Sequence, residues 1–151
     1  MQNQLDITRV NRKLVIGFLE NHSLEELNKV PEGFNNNLIW NIAHIVVTQQ
    51  LLVYKLSGLP MMIDEDMVES YRKGSKTERS VTAEEVSTIK DLLFSTIDQT
   101  EKDLEKGIFK NFKEYPTSTG FVLKSVEDAL RFNNYHEGIH FGYLLALKRA
   151  L

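Results

Sequence analysis

The chain contains no cysteine. That excludes a disulfide framework, a cysteine-ligated zinc site and a protein thiol nucleophile, so any thiol chemistry must draw its sulfur from another molecule. It has no run of lysines or arginines, and a formal charge of -3 with pI near 5.8 offers phosphate no long-range attraction. No nucleic-acid partner is expected. No stretch is apolar for long enough to span a bilayer: the most apolar one, Leu38 to Leu56, is interrupted by Asn41, His44, Gln49 and Gln50, each costly in lipid. It reads as a buried helix, and no membrane association is expected. The opening residues, MQNQLDITRVNRK, lack the basic region, apolar core and small-residue cleavage site of an export signal, which makes the cytoplasm the expected location. There is no Pro/Gly/Ser-rich linker, so one domain spanning residues 1–151 is expected.

What is present is ordinary globular material. Hydrophobic residues make up 42% and charged residues 26%, which argues against disorder and against a fibrous class. Apolar positions recur at helical spacing in four long segments. The first runs from Leu5 to Glu20. Ser23 and Glu26 then form a capping-box pattern that opens a short turn before Pro31. Asn35-Asn36-Asn37 can cap a second helix, from Leu38 to about Ser57, which Gly58 and Pro60 close. Residues Met61 to Ser80 lack sustained periodicity and read as a long crossover with one short helix around Glu65 to Tyr71. Thr82 and Glu85 make another capping-box pattern for a third helix ending near Lys106. The turn chemistry of Tyr115 to Gly120 precedes a fourth helix, capped by Ser125 and running to the chain end. With little strand signal, the expectation is an all-α fold, a four-helix bundle whose long crossover joins its second and third members.

The chemistry lies in three histidines. His136 and His140, four apart on the fourth helix, share one face with Cβ atoms about 6 Å apart, a spacing that suits two ligands of one metal. Both lie on the apolar stripe, where an imidazole without a partner costs roughly 1 to 3 kcal/mol. His44, in the middle of the second helix, can supply a third ligand from across the core. Three neutral imidazoles leave the charge of a divalent ion uncompensated and a coordination position open, the arrangement of catalytic rather than structural sites. The segment His136-Glu137-Gly138-Ile139-His140 also matches the HExxH pattern of zinc peptidases, with Glu137 as the candidate catalytic base. Those enzymes take a third ligand downstream, and no His, Asp or Glu follows His140. Glu137 lies about 100° around the helix from His136, so a solvated carboxylate is its simpler reading. Asn41 and Asn133, each three residues before a histidine, can orient a ring. Trp40, Thr48, Phe132 and Tyr143 can line a pocket above the metal, although aromatic residues at such spacing are more often core. Gly138 and Gly142, each costing about 1 kcal/mol in a helix interior, imply close approach by a neighbouring helix or a second subunit.

Trp40-Asn-Ile-Ala-His44, together with His136-Glu-Gly-Ile-His140-Phe-Gly-Tyr143, resembles the DinB-like (DinB/YfiT-like) metal-binding bundles over the whole chain in length, helix order and histidine placement. The resemblance implies that His44, His136 and His140 ligate one divalent ion of nickel or zinc class. It also implies a small-molecule substrate and a homodimer. Some members of that family are thiol transferases that use a low-molecular-weight thiol as cosubstrate, and others are described as metal-dependent hydrolases. A non-catalytic, metal-stabilised module is the competing class.

Overall fold

A computed structural model describes every residue from Met1 to Leu151. The chain is all-α apart from one minimal hairpin. Its elements are α1 (Gln2–Asn21), α2 (Leu24–Asn28), α3 (Leu38–Val53), α4 (Glu65–Tyr71), α5 (Ala83–Glu105), β1 (Tyr115–Pro116), β2 (Val122–Leu123) and α6 (Val126–Ala150). No helix is long and apolar enough to cross a membrane.

The helix starts follow local hydrogen bonding. Ser23 and Glu26 form a complete capping box on α2, and Thr82 and Glu85 form one on α5. Asn37 and Ser125 accept the backbone N–H groups of Trp40 and Asp128 at the starts of α3 and α6. These bonds satisfy amides that have no partner within the helix. The expected second helix proves shorter than its apolar run. α3 ends at Val53, and Lys55–Ser57 tighten into a 3-10 turn that Gly58 closes at φ 69°. A left-handed residue there requires glycine to avoid strain.

The four long helices form a closed ring of contacts, α1 against α6, α6 against α3, α3 against α5 and α5 against α1. Pairings fix their directions. Thr8 meets Asn134 and Arg12 meets Glu137, so α1 and α6 run parallel. His44 meets His136 while Asn41 meets His140, so α3 and α6 run antiparallel. Gln49 meets Thr100 and Tyr54 meets Asp103, so α3 and α5 run parallel. A parallel α3 and α5 need the long return connection, and residues 54–82 supply it, with α4 packed on α3.

α3 is the axis of the molecule: 14 of its 16 residues are buried, which explains why its sequence shows an apolar run and not an amphipathic stripe. Two apolar clusters fill the interior. One gathers Val15, Phe18, Leu38, Ile42, Leu93 and Leu144, and the other gathers Leu5, Val53, Ile97, Leu123 and Leu130. Between them along the helices lies a polar layer that contains Arg12, Thr96, Asn133, Glu137 and the three histidines. The hairpin was not legible as strand. Tyr115 pairs with Leu123 and Pro116 with Val122, and the tip is held by Thr117, whose N–H and hydroxyl both donate to the Phe121 carbonyl.

Candidate metal centre

α3 presents His44 inward from its middle, and α6 presents His136 and His140 one turn apart toward it. The potential ligand atoms of the three rings all lie within 4.8 Å of one another, and Nε2 of His44 and Nε2 of His136 are 3.1 Å apart. Nitrogens bound to one ion at about 2.0–2.1 Å stand on the order of 3.3 Å from each other, so the His44–His136 pair already stands near the spacing that a shared ion requires.

Hydrogen bonds assign the protons of two rings. Nδ1 of His44 faces the carbonyl of Tyr71, the last residue of α4. A carbonyl only accepts, so the proton sits on Nδ1 and Nε2 carries a lone pair. Nδ1 of His140 lies 2.9 Å from Oδ1 of Asn41, whose Nδ2 donates to the Asn37 carbonyl. That second bond fixes the amide orientation and makes Asn41 the acceptor, again leaving Nε2 free. Nδ1 of His136 is buried with no partner in the chain. Burial pushes His136 down to about 2 and His140 down to about 3, with further lowering from neighbouring imidazoles; His44 is lowered by burial against the opposing pull of the Tyr71 carbonyl. All three rings are therefore neutral near pH 7, and His44 and His140 point lone pairs into one small space.

The expected Asn41 role is thus seen, on His140 and not on His44. Asn133 turns elsewhere and donates to Oε1 of Glu137. The solvated reading of Glu137 is corrected: the residue is 0% exposed and paired with Arg12, also 0% exposed. Arg12 donates to Oε1 of Glu137 from Nε and Nη2, and to the Leu93 carbonyl and Thr96 hydroxyl from Nη1. The angular offset from His136 was read as pointing to solvent, but α1 occupies that direction. Glu137 is absent from the walls of the cavity above the histidines.

That cavity has a volume of about 450 Å³. Trp40, Thr48, Phe132 and Tyr143 line it as expected, with the Thr48 hydroxyl 3.3 Å from Nε2 of His44 and the Trp40 indole stacked on the His44 ring at 4.6 Å. Two further walls went unrecognised in the sequence. One is the turn after α4, with Lys73, Gly74 and Ser75; the other is the hairpin tip, with Thr117, Ser118 and Thr119. The dense hydroxyls of Thr117-Ser118-Thr119 were the available signal, read only as turn chemistry. Gly138 and Gly142 face open space, with no atom of another element within 4 Å of an added Cβ, so no neighbouring helix of this chain explains them.

Comparison with known proteins gives one result at the family level. The model of the DinB superfamily matches residues 7–144. No curated protein matches the chain.

Proposed function

The chain belongs to the DinB superfamily, and on that premise we propose that His44, His136 and His140 hold one divalent ion of nickel or zinc class in a site that acts on a small molecule. The observation that carries this reading is the convergence of three neutral imidazoles, two of them held by Tyr71 and Asn41 with their Nε2 lone pairs turned inward. A shared cation would take up the inward Nε2 lone pairs of His44 and His140, which are screened from bulk water. When bound, such an ion supplies Lewis acidity that lowers the pKa of a water or thiol reaching it.

The residues of the chain do the rest. Tyr71 and Asn41 orient two rings, Trp40 backs His44, and the Thr48 hydroxyl stands beside Nε2 of His44 to donate to an incoming group. No aspartate or glutamate lines the cavity to act as general base. A low-molecular-weight thiol, whose pKa starts near about 8.5, asks less of such a site than water does. Thiol transfer to an electrophilic small molecule is therefore the first reading, and metal-dependent hydrolysis the second. The stripe of Gly138, Gly142 and half-exposed Leu145 on α6, beside exposed Ile7, Val10 and Leu14 on its neighbour α1, is assigned to a second copy of the chain.

Elemental analysis of protein purified without an affinity tag tests the centre. Wild type is expected to carry about one ion per chain and His136→Ala much less; equal content in both removes the site. Azide or a thiol should then perturb the spectrum of the cobalt-loaded protein, and a silent spectrum would leave the ion a purely structural role.

A further inference from the structure

We propose that the cavity above the three histidines selects an organic anion, with Lys73 as the residue that recognises its acid group and the apolar wall of Phe132 and Ile139 receiving its body. This rests on the metal reading above and goes beyond it in naming the ligand class and a specificity residue.

The argument is one of charge placement. The cavity walls contain no carboxylate and one fixed cation, Lys73. The neighbouring cavity, which shares Trp40 and Ser75 as a partition, is lined by Glu69 and Glu78 together with Lys76 and Arg79. Acidic side chains are thus close at hand and kept on the far side of the indole. Lys73 itself has no acidic partner within 4.0 Å, whereas the nearby Arg72 is engaged by Glu69. An ammonium left unpaired beside a carboxylate-free cavity attracts an incoming anion, and low-dielectric walls strengthen that attraction relative to open solvent.

The lysine is also placed by structure. The Ser75 N–H donates to the Arg72 carbonyl, and Gly74 adopts φ 91°, a conformation that favours glycine. The Ser75 hydroxyl accepts from Nε1 of Trp40 and donates toward the Ser70 and Arg72 carbonyls. The backbone around Lys73 is therefore tied to α4 and, through the indole, to His44. On the hairpin-tip wall of the same cavity, the Ser118 hydroxyl can donate to the same acid group. Neutral polar donors together with a single ammonium suit a carboxylate, while the apolar wall suits the hydrocarbon that carries it.

The test compares β-mercaptopropionate with its neutral amide, titrated against cobalt-loaded wild type, Lys73→Gln and Lys76→Gln, with the thiolate-to-cobalt absorption as readout. Wild type is expected to prefer the acid. In Lys73→Gln that preference should fall about three- to fivefold, the scale of one exposed ion pair, with binding of the amide unchanged. Lys76→Gln, on the other side of the partition, should behave as wild type. Equal binding of acid and amide in wild type, a preference that survives in Lys73→Gln, an equal fall in Lys76→Gln, or no thiolate band with either probe overturns the inference while the ion remains bound. Failure of wild type to take up cobalt overturns the metal reading instead, and this inference with it.

Discussion

At the scale of single residues, the polar layer has two halves with different duties. Arg12 and Glu137 are fully buried and joined by two hydrogen bonds, with Thr96 and the Leu93 carbonyl completing the guanidinium's partners. Removing one member strands a buried charge. Arg12→Met should therefore lower stability by about 3–5 kcal/mol, measured by urea unfolding, and the Arg12→Met/Glu137→Leu pair should recover much of the loss. A double variant no more stable than the single one would show that the pair does more than cancel its own charges. Asn41 acts on the other half. Replacing it with alanine deprives Nδ1–H of His140 of its acceptor, and metal affinity measured against a competing chelator should fall about 10- to 100-fold. Unchanged affinity would mean that packing alone orients that ring.

At the scale of elements, the capping boxes dominate. Thr82→Ala removes the acceptor for the Glu85 N–H at the start of α5 and should cost about 0.5–2 kcal/mol. Glu85 also carries a pH signature. Its carboxylate is held down to about 2, first by Arg79 and then by the Thr82 backbone, against an ordinary value of 4.5. The stabilisation is present above 4.5 and is lost as pH falls toward 2. The stability gap between wild type and Glu85→Gln should accordingly shrink through that window; a constant gap would place the interaction in geometry and not in charge.

The same elements show what a sequence reveals. Ser23 with Glu26, and Thr82 with Glu85, act over three residues, so their caps were legible. His136 with His140 is likewise a local spacing, whereas the pairing with His44 crosses two helices, so the residues alone offered it as a candidate and the family resemblance gave it weight. Tyr71 contributes a backbone carbonyl, which has no side-chain signature, and its use depends on how the crossover lies against α3. Glu137 was misread because its partner is 125 residues away on α1. Periodicity shows which face a residue occupies but not which helix covers it.

For the whole molecule, the exposed stripes of α1 and α6 set the question of assembly. Gly138 and Gly142 have room for a Cβ within one chain, so alanine there should cost an isolated chain nothing and gain about 1 kcal/mol per site in helix propensity. If a second copy packs closely on them, the Gly138→Ala/Gly142→Ala protein should instead sediment as a weaker dimer than wild type. A double variant with unchanged sedimentation and higher thermal stability would assign the face to solvent.

Trp40 is the one tryptophan of the chain, and its indole lies against the His44 ring, nearly parallel at 11°. The intrinsic fluorescence of the unlabelled protein therefore comes from a single chromophore one ring away from the histidine cluster. Copper or nickel entering that cluster should quench the emission saturably, and His44→Ala should abolish the response. The molecule thus carries a built-in optical gauge of its own occupancy, readable at dilutions where absorption spectra fade.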